Sequence, residues 1–159
     1  MKKIPTKEEC LEILNRNKTP SNVIEHCKTV CKVAEEIAKK LIKKRLKVNK
    51  DLVIAAALLH DIERAKKNHV VEGAKLLKKL GFLEVSEVIR KHSLFKLFEE
   101  KNQPKTFEEK IVFYADKRAI DNKIVSLEER FDALEKKYSV DLSKELEFTK
   151  KIEKKLLGN

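Results

Sequence analysis

Residues 51–61 read DLVIAAALLHD, and no other stretch constrains the fold as tightly. Wound as a helix, the segment is apolar on every side, so other elements must enclose it. It nevertheless ends on His60 and Asp61, an imidazole and a carboxylate whose burial costs free energy unless both find partners. The segment therefore predicts a central helix with a polar pair at its end. Taken alone, such a pair reads most simply as a core histidine capped by its neighbour.

Helical periodicity runs through almost all of the remaining chain. Thr6 with Glu9 makes a capping box ahead of Cys10, Leu11, Ile13 and Leu14, and the helix it opens ends near Asn17, before Pro20. Ser21 or Asn22 then caps a long helix. Its apolar positions are Val23, Cys27, Val30, Ala34, Ile37 and Leu41, with Ile24, Cys31, Ala38 and Ile42 beside them, one wide buried stripe. The central helix ends near Asp61 or Glu63. Asn68 caps a helix through Leu80, with Gly81 as its stop. Helix continues over 82–92 and again over 94–100, and Pro104 breaks the chain. Thr106 with Glu109 opens a helix to about Ile120, Ser126 with Glu129 one to about Tyr138, and a last helix runs from about Ser143 to Leu157. No stretch alternates at period two for more than a few residues, and 3 Gly and 3 Pro are few for a sheet-rich fold. The expectation is an all-α, single-domain helical bundle spanning residues 1–159.

A chain of 159 residues can bury about 68–70% of its unfolded surface, so it folds without disulfides or structural metal. Its 3 cysteines, Cys10, Cys27 and Cys31, are an odd number with no pairing framework, which fits a reducing cytoplasm. Cys27 and Cys31 stand one helical turn apart and read as small buried hydrophobes rather than metal thiolates. The N-terminal stretch has no apolar core of a signal peptide, and the apolar run over 52–60 is about half a membrane span. The net charge of +11, in a chain that is 40% charged, allows three readings: nucleic-acid binding, attraction of a phosphorylated small substrate, or the solvated surface of a heat-adapted protein. Lys and Glu are interspersed rather than blocked, which weakens the first.

The 4 histidines are His26, His60, His69 and His92. His26 borders the apolar stripe of the long helix. Asp116 ends the apolar run IVFYAD, as Asp61 ends its own. Neutral imidazoles and carboxylates are the ligand set of divalent transition metals, and helical bundles commonly converge such ligands from several helices on one ion. His26, His60, Asp61 and Asp116 suit one ion; His69 and His92 would supply nitrogen ligands to a second.

The order His26, His60–Asp61, His69, His92, Asp116 resembles the HD-domain superfamily of metal-dependent phosphohydrolases. The likeness runs from about residue 21 to 132 and includes local context: LLHDI around the dyad, EGA after His69, IRKH ending at His92, and YADK around Asp116. The resemblance implies an all-helical fold. It also implies a metal site in which Asp61 bridges two ions, with His26, His60 and Asp116 completing the first and His69 and His92 the second. Mn or Fe is favoured, with Co, Ni, Zn or Mg admissible. Where many two-metal members carry a Lys three residues after the dyad's Asp, this chain has Arg64, a group able to bind phosphate bidentately. The GYP motif of the cyclic-dinucleotide enzymes is absent. The paired acids that guanosine-polyphosphate hydrolases and one-metal nucleotidases place just after the dyad are not reproduced, and Glu63 is one position off.

The function expected is hydrolysis of a phosphoester, on a nucleotide or related small phosphorylated substrate, by metal-activated water. Asp61 and Arg64 are the catalytic candidates; Arg64, Lys117 and Arg118 are the substrate-binding candidates. Lys117 and Arg118 read equally well as exposed basic residues. Two rivals stand beside this function. One is a basic, nucleic-acid-binding helical protein, resting on KKLIKKRLKVNK at 39–50 and on Lys150, Lys151, Lys154 and Lys155. The other is an HD domain that binds a nucleotide without hydrolysing it. A homodimer is compatible with the sequence. The C-terminal helix could cover the site, pack the core or mediate that dimer.

Overall fold

The computed structural model describes residues 3–158. Among them are eight α-helices and one small hairpin: α1 (Lys7–Arg16), α2 (Ser21–Lys43), α3 (Lys50–Leu59), α4 (His69–Lys79), α5 (Leu83–Arg90), α6 (Phe107–Asp116), β1 (Ala119–Ile120), β2 (Lys123–Ile124), α7 (Leu127–Tyr138) and α8 (Ser143–Leu157). The all-α architecture is the one the periodicity predicts.

Helix α3 is the hub, as its all-round apolarity requires. It packs against α1, α2, α5 and α6, and Leu52, Val53 and 55–59 are all buried. Alanines at 55, 56 and 57 add little bulk, and the distance between packed helices follows the size of the side chains at the contact. Helix α2 lays its expected stripe, Val23 to Leu41, into the same core; each such Val or Leu contributes roughly 1.5–3 kcal/mol by leaving water. Cys10, Cys27 and Cys31 are buried and free. Ser86 ties α5 to α4 by donating to the Ala74 carbonyl (2.7 Å). Helix α8 packs on α6: Phe148 meets Phe113 edge-on at 5.9 Å, Ile152 and Leu156 are buried, and the Tyr114 hydroxyl donates to Glu153. Of the uses open to this helix, packing the core is the one observed. No helix among the described residues is long and apolar enough to cross a membrane.

Several local expectations give way. Pro20, not Ser21 or Asn22, occupies the N-cap of α2 and offers no side-chain cap. Asn68 is the N-cap of α4 but makes no capping hydrogen bond. Residues 94–100 are not a helix; Lys96 adopts φ 51°, a left-handed conformation that a helix cannot propagate through, and only a 3-10 turn, Glu100–Asn102, follows. Helix α5 stops at Arg90, so His92 lies beyond it. Helix α6 stops at Asp116 rather than near Ile120. There Val125 N–H donates to the Arg118 carbonyl (2.8 Å), and the chain turns through Asp121 at φ 51° into β1 and β2.

Candidate metal centre

The site collects the ends of helices. His26 lies in the second turn of α2, His60 caps the C-terminus of α3 and Asp61 follows it. His69 opens α4, His92 follows α5, and Asp116 closes α6. The turn after Asp61 is tied down from the α1–α2 connection. Asn17 donates to the Ile62 carbonyl (3.2 Å) and to Glu63 Oε1 (2.5 Å), and the Thr19 hydroxyl donates to the Ile62 carbonyl (3.3 Å). The sequence reading missed both residues; a polar pair flanking a helix break is too common a signal to single them out.

All six predicted ligands come together. Donor atoms of His26, His60, Asp61 and Asp116 lie within 4.8 Å of one another, and so do those of Asp61, His69 and His92. Asp61 belongs to both groups through different oxygens. Its Oδ2 is 3.6 Å from His26 Nε2 and 3.5 Å from His60 Nε2; its Oδ1 is 3.4 Å from His92 Nε2 and 3.8 Å from His69 Nε2. Asp116 Oδ1 completes the first group, 3.1 Å from His26 Nε2 and 3.2 Å from His60 Nε2.

The imidazoles at the two helix ends are oriented alike. His60 Nδ1–H donates to the Ala57 carbonyl (2.7 Å) and His92 Nδ1–H to the Ile89 carbonyl (2.6 Å). Each uses a carbonyl in the last turn of its helix, and that of Ile89 also accepts from the His92 backbone N–H (3.2 Å). With Nδ1 committed as donor, Nε2 presents either a lone pair or a second proton. Facing carboxylate oxygens, it needs a positive charge between them. That tautomer, fixed by a backbone carbonyl, is the arrangement that prepares a histidine for a metal. The donor set therefore fits divalent cations on chemical grounds.

The carboxylates, imidazoles and Lys117 offset one another's burial. Burial disfavours ionising Asp61, but His60 and His92 outweigh it and hold its carboxyl well below the usual range. Burial likewise opposes ionised Asp116, and Lys117, His26 and His60 prevail. His60, although buried, is held well above the ordinary imidazole value, chiefly by Asp61, then by the Cys27 thiol and Asp116. His69 is lowered, by burial first and by Arg64 further on, against the pull of Asp61. Lys117 is buried, and its Nζ donates to Asp116 Oδ2 (2.8 Å) and to the His92 carbonyl (2.7 Å). It thus joins the two groups of ligands from behind. Burial lowers its pKa, Asp116 supports its charge, and the charge of Arg130 opposes it.

A cavity of about 1090 Å³ opens in front of the cluster, with His26, Asp61, His69, His92 and Asp116 in its wall. Arg64 lines it, and its guanidinium donates to His69 Nε2 (3.0 Å). Arg118 is not among the lining residues: its Nε donates to the Val125 carbonyl (2.5 Å) and its Nη1 to the Tyr114 hydroxyl (2.8 Å). Of the two residues beyond Asp116 considered for phosphate, one is therefore built into the wall and the other into the hairpin. Lys117 had one legible signal, its position directly after the carboxylate that closes an apolar helix end.

Comparison with known proteins agrees with this architecture. The family model described as HD domain matches residues 23–121. The chain is 33% identical over 151 residues to a tRNA (cytidine(56)-2′-O)-methyltransferase of Picrophilus torridus, covering 86% of this chain and 43% of that protein. A protein of the same description from Thermoplasma volcanium is 32% identical, with the same coverage. An uncharacterized protein of Methanocaldococcus jannaschii is 33% identical over 144 residues, 82% of this chain and 85% of that one. The chain thus spans less than half of the two methyltransferases it matches. No solved structure matches significantly.

Proposed function

The chain belongs to the HD-domain family, and from that footing we propose that it is a metal-dependent phosphohydrolase acting on a phosphoester of a nucleotide or related small phosphorylated substrate. The observation that carries this reading is Asp61, whose two oxygens face two different pairs of imidazoles. A carboxylate so placed suits a bridge between two divalent ions. His26, His60, Asp61 and Asp116 would hold one, and Asp61, His69 and His92 the other. The mixed nitrogen and oxygen set favours Mn or Fe and admits Co, Ni, Zn or Mg.

Bound there, divalent ions supply Lewis acidity to phosphoryl oxygens and lower the pKa of a water. The chain's own groups do the positioning. The Ala57 and Ile89 carbonyls aim the imidazoles of His60 and His92, and Lys117 holds Asp116 so that its other oxygen faces His26 and His60. Arg64 releases His69 and turns its fork to a phosphate oxygen. The wide cavity admits a substrate of nucleotide size, and the net charge of +11 draws an anion towards it. Free, buried cysteines accord with a reducing cytoplasm as the compartment. The test is elemental mass spectrometry after loading with Mn or Fe, joined to a screen of phosphomonoesters and phosphodiesters. Near two equivalents per chain with metal-dependent turnover supports the reading; turnover without bound metal defeats it.

A second reading, an RNA-containing partner or substrate, is favoured by the two relatives named for a tRNA modification. Methyl transfer belongs to the name of those longer proteins and is not assigned to this chain. Lys40, Lys43, Lys44 and Lys47 are exposed and make no ion pair among the described residues. Lys43 ends α2 about 25 Å from His26 at 1.5 Å per residue, so RNA bound there would lie away from the cluster. Charge reversal of Lys43 and Lys44 should then weaken RNA binding and its salt dependence while leaving hydrolysis of small phosphoesters unchanged. Loss of neither removes this reading.

A further inference from the structure

Arg130 is a guanidinium with no partner among the described residues. It lies in the first turn of α7, half-buried, and its Nε is shielded from solvent with no acceptor. Among the described residues no carboxylate, carbonyl or hydroxyl accepts from its side chain, whereas Arg64, Arg90 and Arg118 are all engaged. A buried donor left unmade is costly, and a single anionic oxygen beside it would relieve the cost.

Its location gives the vacancy of partners a meaning. Helix α7 turns Arg130, Ala133, Leu134, Lys137 and Tyr138 into the cavity, a face spaced by three and four residues. Asp61, Asp116 and Lys117 line the same cavity as Arg130. Lys117 is paired with Asp116, whereas Arg130 is a cation in the cavity wall with no ion-pair partner among the described residues. Arg64 stands beside His69. Helix α7 also lies outside residues 23–121, so the family match assigns nothing to it.

We propose that Arg130 is a substrate-binding residue whose guanidinium fork grips the substrate's phosphate in the cavity in front of the His/Asp cluster. The anion's identity as a phosphoester rests on the phosphohydrolase reading; the presence of an anion site does not. A phosphate supplies paired oxygens at the spacing of the guanidinium N–H groups, and such charge-assisted contacts are about twice as strong as neutral ones.

The experiment is calorimetric titration of inorganic phosphate into the full Mn-loaded chain, for the wild type, Arg130→Gln and Arg130→Lys. Arg130→Gln is expected to weaken phosphate binding about tenfold or more, and Arg130→Lys to recover only part of it. The melting temperature of Arg130→Gln should match or exceed the wild type, because no folded-state partner is lost. Unchanged affinity in Arg130→Gln, or no phosphate binding by the wild type, overturns the assignment; so does a lowered melting temperature with affinity intact, which would mark a structural role. Phosphate held through Arg130 by a chain that hydrolyses no phosphoester would sink the hydrolase reading and leave the anion site standing. Metal-dependent hydrolysis with KM and phosphate affinity untouched in Arg130→Gln would do the reverse.

Discussion

Lys117 Nζ lies 2.8 Å from Asp116 Oδ2, so the carboxylate that closes α6 is held by the next residue in the chain. Both side chains are buried. The pair leaves the other Asp116 oxygen turned to His26 and His60 and anchors the His92 backbone through the same ammonium. Lys117→Met keeps much of the stem but strands a buried carboxylate. It should cost about 3–5 kcal/mol, read as a lower urea midpoint. A midpoint equal to the wild type would show that the imidazoles alone suffice to hold Asp116.

The division of Asp61 between two imidazole pairs makes metal stoichiometry diagnostic. Asp61→Ala should lose all bound metal and all phosphoester turnover. His69→Ala and His92→Ala should each lose about one equivalent and retain the ion held by His26, His60 and Asp116. Elemental mass spectrometry on the three variants checks this. Two equivalents surviving in His92→Ala would remove that residue from the ligand set.

Glu109 is a test of acid stability away from the cluster. Burial pushes its pKa up, but the N–H groups of Lys105 and Thr106 and the Lys91 ammonium at 2.9 Å hold it below the ordinary 4.5. A carboxylate with a depressed folded pKa contributes stability that is present above its unfolded value and is lost as pH falls towards the folded one. Glu109→Gln should therefore be about 1–2 kcal/mol less stable than the wild type at neutral pH, and the gap should narrow below the ordinary value of 4.5. Urea unfolding at neutral pH and at about pH 3.5 measures both. A constant gap would mean that charge plays no part.

Burial pushes the Cys10 thiol up to about 12 and the Cys31 thiol up to about 11. Both stay protonated, and shielded, at mildly alkaline pH. The native chain should react with a thiol-specific reagent far more slowly than the chain in urea, where all 3 cysteines become available. A fast-reacting native thiol would contradict the packing of α1 against the core.

The features legible in the residues are the local and periodic ones. The capping boxes at Thr6–Glu9 and Thr106–Glu109 form as read, each closed by residues three apart. The stripe of α2 is buried because a 3.6-residue period leaves it one apolar side. The same reasoning failed at 94–100, where Lys96 in the left-handed region breaks the helix that apolar spacing alone would continue, and beyond Asp116, where the chain leaves the helix for the β1–β2 hairpin and Val125 N–H donates to the Arg118 carbonyl.

By itself the sequence determined that the chain is helical, that 52–59 lies at its centre, and which side chains are able to ligate metal, because propensity, periodicity and donor chemistry are carried by each residue and its near neighbours. Only the tertiary structure decided how those donors meet. His26 and Asp116 are 90 positions apart and 3.1 Å from each other, a proximity set by how α2, α3 and α6 pack. Lys117 reads along the chain as one of a basic pair and becomes a buried strut because α6 ends against the His92 turn. Arg130 is singled out by no motif of the sequence and lines the cavity because α7 presents it there. These outcomes depend on long-range packing, which no window of sequence contains.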